Sequence, residues 1–404
     1  ITSSVLQFSY QGYHVNILDT PGHQDFSEDT YRTLTAADCA LMILDMGKGV
    51  EAQTIKLFEV CRRQGIPIFT FINKLDRQGK EPFDLLDELE KVLGIGSYPM
   101  NWPAGSAPGQ YGIYHRKARQ LELFQTGKNS ELINAGSLGV DSPAIEAALD
   151  QHAYLKLHDE VKLLEAAGDT FEQKKVDDGQ LTPVFFGSAI SGFGVVPFFT
   201  EFLHLSPQLA PRKSNIGLID PADKDFSAFT FKIQANMNPA HRDRIAFLRV
   251  CSGVFSRDML VNHVRTGKQI RLSQPQQFLA QNRNITEQAY PGDIIGLYDP
   301  GVFKIGDTLT TGQPFQFDQL PRFSPELFAR VSATTAMKYK QFNKGLLQLA
   351  EEGAVQVFST IGGGENILGA VGELQFEVFK FRLEAEYGVD VRIERLPYTI
   401  LRWV

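Results

Sequence analysis

Asp19-Thr20-Pro21-Gly22-His23 directly follows the apolar run Val15-Asn16-Ile17-Leu18, and Asn73-Lys74-Leu75-Asp76 directly follows Ile66-Pro67-Ile68-Phe69-Thr70-Phe71-Ile72. Short apolar runs bounded by turn-forming residues read as buried strands, and in an open α/β sheet ligands gather at the carboxyl ends of the strands. The spacing therefore predicts two groups of polar residues on one rim of a parallel sheet, with chemistry that suits a guanine nucleotide. The Asp76 carboxylate can accept from guanine N1–H and from the exocyclic amine, a donor pair that adenine lacks. Asn73 is placed to brace the loop and touch the ring, and the stem of Lys74 to cover one ring face with its ammonium in water. A third segment, Phe186-Gly187-Ser188-Ala189 after Pro183-Val184-Phe185, offers backbone N–H groups at Ser188 and Ala189 to guanine O6, where adenine carries a donor.

In the first motif, Thr20, Pro21 and Gly22 form the turn that meets a terminal phosphate, and Gly22 has no side chain to obstruct close approach. Asp19 is expected to hold Mg2+ through a water. His23 falls where a side chain orients an attacking water, as phosphoryl transfer requires. Either motif alone is compatible with an ordinary turn after a strand, and a lone histidine with packing. Three such segments in order after three apolar runs favour the nucleotide pocket. The phosphate-cradling pattern Gly-x-x-x-x-Gly-Lys-Ser/Thr is absent, because none of Gly47-Lys48, Gly79-Lys80, Gly127-Lys128 and Gly267-Lys268 is followed by Ser or Thr. The chain opens without methionine at Ile1-Thr2-Ser3-Ser4-Val5, so the expectation is that the phosphate loop and first switch lie upstream.

The 404 residues suffice for two or three domains, and 43% hydrophobic with 22% charged residues is ordinary globular composition. No apolar stretch reaches the length of a membrane span. Cys39, Cys61 and Cys251 have neither disulfide-framework nor metal-ligand spacing, which fits a reducing cytosol. A net charge of −7 argues against indiscriminate binding of nucleic acid, DNA included, but not against a local patch that docks on a ribonucleoprotein.

Residues 1–210 alternate strand and helix, which predicts an α/β domain with a mostly parallel sheet, interrupted by an insertion over about 95–180; the nucleotide motifs it carries make a P-loop-type GTPase domain the expected class. Gln11-Gly12 predicts a hairpin turn. Residues 211–322 change to short strands punctuated by Gly253, Gly292 and Gly306, a β-barrel pattern in which Phe229, Phe231 and Ile233 alternate with polar partners. Residues 323–404 follow the order βαββαβ, a ferredoxin-like α+β domain that is C-terminally incomplete. The acidic residues Glu51, Glu59, Asp84, Asp87, Glu88 and Glu90 read as a solvated helix face rather than metal ligands. Arg242 and Arg244, in Asn238-Pro239-Ala240-His241-Arg242-Asp243-Arg244, fit either a plain hairpin tip or a contact to RNA phosphate.

Asp19 to His23 with trailing Asp25-Phe26, then Asn73 to Asp76, then a barrel carrying Pro291-Gly292-Asp293-Ile294 and Gly306-Asp307-Thr308, resembles the translational GTPases from end to end. The longer strings Asp25 to Leu34, Phe231 to Met237 running through His241 to Arg244, and Glu351 to Phe358 resemble the branch that works in translation termination. Elongation factor G shares the pocket motifs but not those strings. The resemblance implies a cytoplasmic enzyme that binds GTP and GDP with Mg2+, associates with the ribosome after peptide release and promotes departure of the codon-reading release factors. It implies ribosomal RNA as the partner of Arg242 and Arg244. Two other readings stay open: a translational GTPase of elongation or recycling, and a guanine-nucleotide sensor with negligible hydrolysis.

Overall fold

The computed structural model describes residues 3–105, 110–125, 131–167, 170–235, 244–273, 275–279, 282–285, 287–318, 320, 323–360 and 364–398. These form two compact units, residues 1–37 with 209–404, and residues 38–208. The first unit begins with β1 (Ser4–Tyr10) and β2 (Tyr13–Asp19), an antiparallel hairpin in register from Ser4 opposite Asp19 to Tyr10 opposite Tyr13. Its two-residue turn needs positive φ at both positions, met by Gln11 at 48° and Gly12 at 83°. After a 3-10 turn at Gln24–Phe26 comes α1 (Ser27–Thr35).

The second unit is built on β3 (Ala40–Asp45), α2 (Ala52–Gln64), β4 (Ile68–Asn73), α3 (Pro82–Glu88), β5 (Gly96–Pro99), β6 (Asn101–Ala104), β7 (Gln110–His115), β8 (Gln120–Gln125), β9 (Glu131–Asn134), α4 (Pro143–Ala148), α5 (Gln151–Ala166), α6 (Gln173–Asp177), β10 (Leu181–Phe186) and α7 (Val195–Leu205). Its main sheet runs β3-β4-β10-β5, parallel at every pairing. β4 is central and its first five residues are fully buried, the near-continuous apolar signature of a strand covered on both faces. Phe69, Phe71, Phe185 and Phe198 fill the core between sheet and helices. The register sets Asp45 opposite Asn73 and Phe186 opposite Ile72, so three loops leave the sheet side by side.

β5 belongs to this sheet, and the segment that follows Pro99 departs from it. It is an antiparallel sheet, β6-β7-β8-β9, with α4 and α5. Its entry is pinned by Asn101, whose amide accepts from Phe186 N–H at 2.7 Å and donates to Phe186 C=O at 3.1 Å, and by Trp102 Nε1, which donates to Glu160 at 2.8 Å.

In the rest of the first unit, a sheet of barrel strands runs in the order Lys268–Arg271, Leu260–His263, Thr308–Thr310, Ser227–Ala235, Arg244–Ser252, Ile294–Tyr298, Pro275–Leu279, and β1 and β2 continue it. Arg244–Ser252 is buried on both faces. Ala246, Leu248 and Val250 enter one apolar cluster, and Ile245, Phe247 and Cys251 the other. Its neighbour's polar alternates Thr230 and Lys232 are buried too, so the alternation read in the sequence does not mark a solvent face. The last element is an antiparallel sheet ordered Gln356–Ser359, Asn366–Ala370, Leu327–Ala333, Val391–Leu396, with α8 (Tyr339–Glu351) and α9 (Glu373–Tyr387), a ferredoxin-like arrangement.

Candidate guanine-nucleotide site

In the second unit, the loops after β3, β4 and β10 tie to one another. Met46 N–H donates to Asn73 C=O, Gly187 N–H to Ile72 C=O and Leu75 N–H to Gly187 C=O, each at 3.0 Å. The Asn73 side chain links two of these loops: Oδ1 accepts from Lys74 N–H at 2.8 Å and from Ala189 N–H at 2.9 Å. Lys74 adopts a left-handed backbone, φ 71°, at about 1–2 kcal/mol for a non-glycine residue, and this bond offsets part of that. Ser188, fully buried, donates its hydroxyl to Asp76 Oδ1 and fixes the carboxylate, which remains about one-fifth exposed. Arg77 Nε stands 3.8 Å from Asp76 Oδ2.

The backbone donors expected to face guanine O6 are engaged instead: Ser188 N–H donates to Phe193 C=O at 2.9 Å and Ala189 N–H to Asn73 Oδ1. Ser188 is buried, and a buried N–H without a partner is costly, so its bond to Phe193 C=O closes the loop on itself. One residue absent from the sequence reading joins the site. Asp45, the last residue of β3, meets Lys74 Nζ at 2.6 Å. That hydrogen bond and a second from Gly47 N–H hold its carboxyl below the usual range. The strand-end rule that selected Asn73 applies equally to Asp45.

The other motif lies in the first unit. There β2 pairs with β1, and β1 pairs in parallel with Pro275–Leu279. Asp19 ends β2 exposed, Thr20 is half-buried, and Pro21 is buried with its C=O accepting from the Thr30 hydroxyl at 3.2 Å. A Cβ on Gly22 would meet nothing within 4 Å, leaving room for a ligand to approach. His23, half exposed, accepts from Asp25 N–H at Nδ1, 3.3 Å, and the same Nδ1 lies 3.5 Å from Asp25 Oδ1. Asp25 is buried and caps α9, accepting from Leu374 N–H at 2.9 Å.

Arg244 corrects a second expectation. It is buried, with Nε 2.7 Å from Asp299 Oδ2, and pairs also with Glu351, so it is no exposed partner for RNA phosphate. Arg242 lies outside the described residues. Among the acidic residues read as a solvated face, Glu88 binds Val50 N–H and Lys80, and Glu90 binds Ser97; these two are structural. No group of three potential metal ligands occurs among the described residues. A cavity of about 230 Å³, lined by Phe83, Tyr98, Arg116 and Leu164 among others, contains none of the motif residues.

Three family models match the chain: the elongation factor Tu GTP binding domain over residues 1–208, elongation factor G domain 2 over 225–312, and class II release factor RF3, C-terminal domain, over 317–404. Peptide chain release factor 3 of Symbiobacterium thermophilum is 57% identical over 407 residues, covering 100% of this chain and 77% of the relative. The protein of the same name from a Cyanothece species is 55% identical, covering 100% and 75%. A crystal structure from Thermus thermophilus superposes with a TM-score of 0.76 at 23% identity, covering 97% of this chain and 59% of that one, a likeness of fold.

Proposed function

The chain belongs to the peptide chain release factor 3 family, translational GTPases of termination, and from that premise we propose that Asn73, Lys74, Asp76, Ser188 and Ala189 hold the guanine base. The observation that carries the proposal is the Asp76 carboxylate, fixed by the Ser188 hydroxyl at the open end of a parallel sheet. It accepts from guanine N1–H and the exocyclic amine, while the Lys74 stem covers the ring. Guanine O6 competes with Asn73 Oδ1 for Ala189 N–H; once displaced, the Asn73 amide is released towards the base.

The segment Asp19, Thr20, Pro21, Gly22 and His23 serves the phosphate end. Bound Mg2+ neutralises phosphate charge, and a single exposed carboxylate at Asp19 fits it, because Mg2+ keeps several waters and is held largely by phosphates. His23 is the catalytic residue, its half-exposed imidazole orienting the attacking water. Hydrolysis switches the protein between ribosome-bound and released forms, and in the cytoplasm this cycle promotes departure of codon-reading release factors. Among the described residues no helix is long and apolar enough to cross a membrane.

Measuring GTP affinity and ribosome-stimulated turnover of His23→Ala tests the assignment. Affinity is expected to hold within about threefold while turnover falls by on the order of a thousandfold, as for loss of a group acting on the transition state. Equal loss of both would reduce His23 to the cap of the Gln24–Phe26 turn.

A further inference from the structure

We propose that Asp45 is a positioning residue for base recognition, aiming the Lys74 side chain across the purine face. This rests on reading the Asn73–Asp76 and Ser188–Ala189 loops as the guanine site.

A lysine stem is a poor platform when free, since the side chain loses about 2 kcal/mol of rotamer entropy when it is held still. Something must restrict it before the base arrives, and Asp45 is built for that. The parallel register sets it opposite Asn73, next to the residue it serves. Its two oxygens divide the work: Oδ1 accepts from Gly47 N–H at 2.8 Å and Oδ2 from Lys74 Nζ at 2.6 Å. The main chain that carries this carboxylate is held too, because Lys48 N–H and Gly49 N–H both donate to Asp45 C=O, at 3.0 and 2.8 Å. A Cβ on Gly47 would lie only 3.3 Å from Oδ1.

The loop is anchored from outside as well. Lys80 N–H donates to Met46 C=O at 3.0 Å, Val50 N–H to Glu88 at 3.0 Å, and Lys80 Nζ to Glu88 at 2.7 Å. The lysine end is constrained separately by the left-handed backbone at Lys74, which sets where its Cβ points. A rigid anion at one end and a fixed backbone at the other leave the methylene stem few paths. Asp45 thus acts on the base only through Lys74.

A thermodynamic cycle tests this, with GDP affinity and dissociation rate measured for the native protein, Asp45→Ala, Asp45→Asn, Lys74→Ala, the double variant Asp45→Ala/Lys74→Ala, and Asp76→Asn as a reference for the base site. The pair is partly solvent-exposed, so its loss is expected to weaken GDP binding about threefold to fivefold, chiefly through faster dissociation. Asp45→Asn, which keeps an acceptor for Gly47 N–H, is expected to behave like Asp45→Ala. On the Lys74→Ala background the Asp45 substitution should add nothing. An equal factor with and without Lys74 would overturn the proposal and make Asp45 a loop residue. So would unchanged binding by both Asp45 variants while Lys74→Ala and Asp76→Asn weaken GDP. If those last two also leave GDP binding intact, the base-site reading itself fails.

Discussion

Replacing Arg244 with methionine is expected to destabilise the unit that contains it and to leave ribosome association electrostatically unchanged. The Arg244 side chain is 8% exposed and the Asp299 side chain is completely buried. Asp299 Oδ1 accepts from three backbone N–H groups, Gly301 at 2.8 Å, Val302 at 2.7 Å and Phe303 at 3.2 Å, which closes the turn after Ile294–Tyr298. Its Oδ2 lies 2.7 Å from Arg244 Nε, yet the two are not aligned as a hydrogen bond, so the contact is mainly charge on charge. Arg244 also donates to Phe303 C=O at 3.0 Å.

Methionine keeps most of the volume and removes the charge, leaving a buried carboxylate uncompensated at Oδ2. Breaking a buried pair from one side costs about 3–5 kcal/mol. The bond to Glu351, which is about two-fifths exposed, adds at most about 1 kcal/mol. For a unit of this size each kcal/mol lowers the melting temperature by about 2–4 °C, so the expected drop is about 6–24 °C. Asp299→Asn on that background should recover part of the loss, because the stranded charge is gone. The assay is a thermal melt beside ribosome pelleting across a salt series. An unchanged melting temperature with a flatter salt slope would refute the burial argument and restore Arg244 as a phosphate contact.

Two further outcomes follow from the first unit. Burial pushes the Asp307 carboxyl up, but hydrogen bonds from His263, Arg265 and Lys304 N–H outweigh it and hold it at about 2. Against an unfolded value of about 3.9, its stabilisation is complete above about pH 5, shrinks as the pH falls and is gone below about 2. Asp307→Asn should therefore flatten the dependence of the urea midpoint on pH between about 4 and 2, and an unaltered slope would count against the linkage. Gly372→Ala would drive a Cβ into the Asp25 carboxylate, so the α9 cap is expected to open, at about 1–3 kcal/mol. Hydrogen exchange at the Leu374 amide reads this directly, and unchanged protection would show that Asp25 yields without loss.

The strand ends that carry the proposed base site were legible because β4 is apolar on both faces and its polar tetrapeptide begins at the last strand residue. The same rule reached Ser188 after β10 and, applied to every strand, would have reached Asp45. The ferredoxin-like order was legible from Phe342, Leu346 and Leu349 on α8, which are buried at helical spacing. Pairing partners were not. Val15 to Leu18 is apolar enough for a strand, but its sequence carries no mark of which sheet receives it. β5, with four residues, is too short for any period to show. Arg244 reads as a surface charge because Asp299 and Glu351, which bury it, are distant in the sequence. Likewise the engagement of Ala189 N–H depends on Asn73, which belongs to another strand end.

The central claim is that Asp76 selects guanine, and competition titration of GDP, ADP and xanthosine diphosphate against the native protein and Asp76→Asn tests it most directly. Loss of the charged acceptor should weaken GDP by about 1.5–3 kcal/mol, about tenfold to a hundredfold. Xanthosine diphosphate should gain relative to GDP, because the new amide donates to the xanthine oxygen where the carboxylate repelled it. An Asp76→Asn protein that keeps the native order of preference, with GDP binding undiminished, would contradict the account.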